Sequence, residues 1–286
     1  MIKEIFSEPF MQRALLMALL MGPFCAMMGV FVTARKLSFF SETLAHSSLT
    51  GIALGFWWGL SDPTLVQILF SIVIAFCVVW LKENTKLLTD TIMAVLLSGA
   101  VALGVVILSL LKGYKGELHR YLFGDILATG PTQVWAGVVI AVIGSSFLLW
   151  KLRSLTLLTL NESLAKVSGV SVRALNCFFL LLLTLAVAFS VRLLGIILVT
   201  SLLVVPASAA RNVSFSLRQH FLLSAFVGIL SGGLGVVGSY FFDLPCGPVI
   251  VLVAIAFFIL SVVVGFFQKI YIQKHQPSKK LTKNLS

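Results

Sequence analysis

Leu37-Ser-Phe-Phe-Ser-Glu42-Thr-Leu-Ala-His46-Ser-Ser-Leu-Thr-Gly51-Ile-Ala-Leu-Gly55-Phe decides the fold, because it sets two ionisable side chains inside a run of membrane-span length. Glu42 and His46 are four residues apart, so on a helix they stack on one face. Gly51, Gly55 and Gly59 recur every fourth residue, a spacing that lets helix backbones approach closely. At 100° per residue, Gly51 falls about 180° from Glu42. One face is then built for tight packing and the other for two polar groups. Ionisable residues within a span are costly and line a pathway or cavity, which places this helix centrally. A structural alternative stays open at this point: Glu42 can oppose the positive end of the helix, and His46 can bond a neighbouring carbonyl.

The rest of the chain supplies the membrane. Of its 286 residues, 59% are hydrophobic and only 11% are charged, against roughly 45–50% and 25% in soluble domains. The mean hydropathy is +1.08. Too little polar surface exists to cover a globule, which excludes a soluble enzyme and a disordered chain. Apolar runs of the roughly 20 residues that a span needs occur at 12–34, 38–60, 64–81, 90–111, 132–150, 174–191, 194–211, 219–242 and 247–268. The fold class is therefore an all-α, polytopic membrane helix bundle of eight or nine spans over residues 1–268. Residues 1–10 read as an interfacial helix, and the run ending at Arg35-Lys36 as a retained first span rather than a signal peptide.

Orientation follows the Lys/Arg bias. With the N-terminus outside, fifteen basic residues fall inside and six outside, so the C-terminus lies in the cytosol. Residues 269–286 form a basic tail, expected to be disordered. The net charge of +11 is scattered over short loops, with no basic helix suited to nucleic acid. Cys25, Cys77, Cys177 and Cys246 form no C-x-x-C pair and read as packing residues. No Walker-type phosphate loop is present, so ATP hydrolysis by that route is excluded.

The longest inside loop, 151–173, contains Asn161-Glu-Ser-Leu-Ala-Lys-Val-Ser-Gly169. Asn161 can cap a short helix over Glu162 to Ser168, and Gly169 can end it in the left-handed conformation. Such a helix suits either docking to a partner or lying on the membrane surface.

These motifs occur in order with Gly29-Val-Phe-Val-Thr-Ala-Arg35, Tyr121-Leu-Phe-Gly-Asp125, Gly195-Ile-Ile-Leu-Val-Thr-Ser-Leu-Leu-Val-Val-Pro206-Ala and Asp243-Leu-Pro-Cys-Gly247-Pro248. The ordered set resembles the zinc, manganese and iron permease family of bacterial ATP-binding-cassette importers. The resemblance implies a type II importer fold in the bacterial inner membrane, and two permeases, identical or homologous. It also implies two cytosolic ATPase subunits and an extracytoplasmic metal-binding protein. It makes Glu42 and His46 ligands on the translocation path of a divalent ion, although many members carry aspartate where this chain has Glu42. Glu162, Ala165 and Gly169 would belong to the helix that couples to the ATPase. Asp243 is a further candidate for gating or receptor contact.

His119 and Asp125 are candidates for transient metal contact or for a solvated loop, and Asp90 for a charge at a helix start. Pro206 is expected to kink its span or free a carbonyl. Two copies of the chain about a twofold axis would bring four Glu/His ligands together, where one copy supplies two. Carboxylate and imidazole suit zinc, manganese and iron alike. An importer of a metal chelate and an ion-driven carrier are the competing transport readings. A membrane enzyme lacks an H-E-x-x-H or comparable set.

Overall fold

The computed structural model describes residues 9–111 and 130–275, and eleven helices run through them. They are α1 Pro9–Ala34, α2 Ser38–Trp57, α3 Thr64–Asn84, α4 Thr89–Leu110, α5 Pro131–Trp150, α6 Leu152–Leu160, α7 Glu162–Val167, α8 Val172–Leu194, α9 Ile196–Val213, α10 Leu217–Phe242 and α11 Cys246–His275. Among the described residues, eight helices are long and apolar enough to cross a membrane. The long helix outside that set is α2, whose serines and threonines lower its hydropathy although it has 20 residues.

Burial inverts the usual ranking by hydropathy. The span of α11 has the highest hydropathy and is 17% buried, whereas that of α1 is 67% buried. The exposed faces of α3, α4, α5 and α11 carry Leu69, Phe76, Val105, Ile143 and Ile259. Exposed apolar faces of this kind suit a lipid environment. All five tryptophans are exposed and stand near helix ends: Trp57, Trp58 and Trp135 at one end of the bundle, Trp80 and Trp150 at the other. Amphipathic rings prefer the headgroup level, so these two sets mark the membrane boundaries.

Small residues set the internal spacing. A Cβ built on Gly228 would lie 2.7 Å from the carbonyl oxygen of Gly22, and one on Gly232 2.8 Å from that of Ala18. Hence α10 lies directly on α1. On α2, Gly51 meets the backbone of Gln67 and Gly55 meets Pro63, which seats α3 against the glycine face. Gly59 is not part of that seam. It lies beyond the helix end with φ 74° and open space around it, because α2 stops at Trp57.

Three further boundaries differ from the sequence reading. Pro9 and Phe10 join the first span. The segment after α5 forms a second helix, α6. The last helix continues to His275, beyond Gln268. The α8–α9 junction takes a single residue, Gly195, at φ 81° and ψ 162°, a region open essentially to glycine alone.

Gly228→Ala is expected to lower the thermal stability of the detergent-purified chain by about 1–3 kcal/mol through overpacking. Gly99→Ala, whose Cβ meets nothing within 4 Å, serves as the control and should match wild type.

Candidate functional site

A polar helix inside a bilayer must satisfy its hydroxyls without water. On α2, Ser41, Thr43, Ser47, Ser48 and Thr50 are fully buried. Ser41 donates to the Ser38 carbonyl at 2.8 Å, Thr43 to Phe39 at 2.7 Å, and Ser48 to Leu44 at 2.9 Å. Others reach across helices: Thr50 donates to the Ala100 carbonyl of α4, and Ser48 Oγ lies 3.2 Å from Ser71 Oγ of α3. Residues 40–53 of α2 are buried except at two positions, Glu42 and His46. These two are half-buried and, with the exposed Phe39 one turn before Glu42, form a short open stripe that closes again at Leu49 and Ala53.

Glu42 and His46 are the fifth and ninth residues of α2. At 1.5 Å per residue they sit about 6 and 12 Å from its start, with Cβ atoms about 6 Å apart. Neither makes a hydrogen bond or ion pair with another described residue. No group of three or more His, Cys, Asp or Glu capable of holding a metal occurs among the described residues. The geometry therefore offers two donors, one oxygen and one nitrogen, aimed out of a sealed helix. His119 and Asp125 lie outside the described residues. Asp90 stands in the first turn of α4, where a carboxylate suits the helix's positive end. Asp243 is exposed and occupies a left-handed position at the end of α10, φ 52°.

At the end of the bundle where α2 begins, α6 and α7 form a compact segment. Asn161 Oδ1 accepts from the amides of Ser163 at 2.8 Å and Leu164 at 3.3 Å, capping α7. Gly169, at φ 76°, ends it, and the Val170 amide returns to the Ala165 carbonyl at 3.0 Å. This is the closure that a left-handed glycine permits. Ala165 is completely buried, Glu162 and Lys166 pair across the exposed side at 3.2 Å, and Leu164 and Val167 are exposed. Leu155 anchors α6 in the core.

Other polar ties carried no signal in local sequence. Gln67 Nε2 donates to the Ala188 carbonyl at 2.7 Å, joining α3 to α8. Arg192 Nη1 donates to Asp62 Oδ1 at 2.8 Å, joining the end of α8 to the α2–α3 loop. Partial burial works to raise the Asp62 carboxyl, but the hydroxyl and amide of Thr64 and the Arg192 guanidinium outweigh it and hold it below its ordinary value. Pro206 lies inside α9, which continues through it. The His220 ring Nε2–H donates to the next residue's carbonyl, Ala207, at 2.8 Å.

A bundle of membrane-length helices around a buried hydroxyl-rich helix, with a capped short helix at one end, makes this an all-α, polytopic membrane protein. The chain belongs to the ABC 3 transport family, whose model matches residues 7–265. It is similar to the high-affinity zinc uptake system membrane protein ZnuB of Haemophilus influenzae, with 32% identity covering 87% of this chain and 95% of that one. It is also 30% identical to the chelated iron transport system membrane protein YfeD of Yersinia pestis, over 98% of this chain and 94% of the relative. Among solved structures, PsaBC from Streptococcus pneumoniae in complex with Fab superposes with a TM-score of 0.81 and 29% identity, covering 91% of this chain and 93% of that chain.

If Asp243 only closes the α10 turn, Asp243→Gly removes the left-handed penalty and should leave transport within twofold of wild type. A loss beyond tenfold in a whole-cell uptake assay would give the carboxylate a part in gating.

Proposed function

We propose that this chain is the membrane permease subunit of an ATP-driven importer of a divalent metal ion: zinc, manganese or iron. The observation that carries the reading is the half-open Glu42–His46 pair on an otherwise sealed polar helix, within a permease of this family. Imidazole nitrogen and carboxylate oxygen accept all three ions, and the absence of thiolate or thioether in the pair disfavours Cu(I). The names of the zinc and iron relatives, and of the manganese transport system membrane protein MntC of Halalkalibacterium halodurans, 27% identical, support that substrate class.

In the mechanism, an extracytoplasmic metal-binding protein delivers the ion to the end of the bundle opposite α7. Glu42 and His46 hold it between one and two helical turns from the cytosolic start of α2. Two protein ligands per chain bind weakly enough for release. A second permease, a copy or a homologue, completes the coordination by presenting its own pair. ATPase subunits dock on α7 through the exposed Leu164 and Val167, and Glu162, Ala165 and Gly169 fix its presentation. Nine crossings among the described residues, α2 included, support chain ends on opposite sides of the membrane. The basic bias sets the α6–α7 end and the C-terminus in the cytosol of a bacterial inner membrane.

The test is multi-element uptake by metal-starved cells expressing the chain with its ATPase and binding protein. Wild type should accumulate one of the three metals, and His46→Ala at equal membrane abundance should reduce that by more than tenfold. Uptake unchanged in His46→Ala removes the histidine from the path; no metal accumulation in wild type refutes the import reading. Glu162→Lys reverses the charge in the first turn of the docking helix and is expected to abolish uptake while membrane insertion is preserved. Wild-type uptake in that variant would contradict docking at α7.

A further inference from the structure

We propose that Arg35 is the positioning residue through which the docking segment moves the helix carrying Glu42 and His46. The inference rests on the import reading above and concerns how motion reaches the ion site.

The glycine close approaches fall into two sets of helices. In α1, α9, α10 and α11 backbones touch backbones: Gly228 on Gly22, Gly29 on Leu203, Gly265 on Asn212. In α2, α3 and α4 the same holds, with Gly51 on Gln67, Gly55 on Pro63 and Gly104 on Thr50. Among the described glycines, no backbone approach of this kind crosses from one group to the other. Although consecutive in the chain, α1 and α2 scarcely pack on each other. Their link is a joint, and it contains Lys36, a left-handed non-glycine residue at φ 58°.

Arg35 occupies that joint. Its Nε donates to Thr159 Oγ1 at 3.2 Å, its Nη1 donates to Asn176 Oδ1 at 3.3 Å, and its guanidinium lies 4.8 Å from the Phe179 ring centroid. Thr159 is on α6, two residues before the Asn161 cap of α7; Asn176 and Phe179 are on α8. One side chain thus links the docking segment, α8 and the residue three before α2. At its far end α8 also grips the α2–α3 hairpin, through Gln67 of α3 and the Arg192–Asp62 pair in the connecting loop. A displacement of α7 carried by α6 and α8 therefore reaches α2 at both ends. Burial also pushes the Arg35 guanidinium down to about 10, and its Nη2 is buried without an acceptor among the described residues. That spare donor is available to a shifted position of α6 or α8. A planar fork stacked on a ring is what lysine lacks.

The test uses the full chain in liposomes with its ATPase and binding protein, reading metal accumulated per ATP hydrolysed with radioactive zinc, manganese and iron in turn. Arg35→Ala should lower that ratio at least tenfold, with ATPase copurification and ATP hydrolysis within twofold of wild type. The double variant Thr159→Val/Asn176→Leu, which keeps Arg35 and its charge, should lower it comparably, and Arg35→Lys should fall between. An unchanged ratio in Arg35→Ala or in the double variant overturns the proposal. Full recovery in Arg35→Lys overturns the role of the fork. Parallel loss of assembly, hydrolysis and uptake in all three variants assigns Arg35 to folding instead. A wild-type complex that hydrolyses ATP and accumulates none of the metals refutes the import reading, and the tie with it.

Discussion

The fold depends on enclosing one polar helix where no water is available. Each buried hydroxyl of α2 left unpaired would cost about 1–3 kcal/mol, and α2 carries five of them fully buried. Bonding back to carbonyls within the helix satisfies Ser41, Thr43, Ser47 and Ser48. Thr50 needs the Ala100 carbonyl of α4. Interhelical bonds in membranes contribute only about 0.6 kcal/mol each, so attraction alone does not hold α2 in place. What holds it is the close packing that Gly51, Gly55 and Gly104 allow with α3 and α4, together with the cost of turning Glu42 and His46 toward lipid.

Enclosure gives the candidate site its character. Because the rest of the α2 midsection is sealed, the two half-open positions are the only ones there at which an ion can meet the helix, and they carry its two ionisable groups. A carboxylate and an imidazole facing hydrocarbon would be costly, so the stripe calls for a second polar surface, which a partner permease supplies in the proposed assembly. The arginine ties lie at the two ends of α2, away from that stripe, so they hold the hairpin without occupying the ion's position.

Much of this was legible in the sequence where local chemistry decides. The capped helix at Glu162 follows from an Asn161 side chain reaching amides two and three residues on, and its end from Gly169; both signals are contained in one turn. The long spans are legible because hydropathy is a local sum, and the 38–60 run reads as a span on the same ground despite its hydroxyls. What escaped depends on distant partners. Gly59 continues the glycine spacing, yet α2 ends before it. Leu152–Leu160 reads as loop because its apolar side is too short to mark a span, and only Leu155 is buried against the bundle. Arg35 and Arg192 read as loop charges, whereas their acceptors lie 124 to 141 residues away for Arg35 and 130 for Arg192.

In the proposed assembly one chain supplies half of an ion site. Metal content and X-ray absorption of the purified permease, saturated with zinc, measure this directly. One ion for every two permease chains is expected, with mixed nitrogen and oxygen ligation that is lost in both Glu42→Gln and His46→Ala. One tightly bound ion per chain, or ligation unchanged in those two variants, would contradict it.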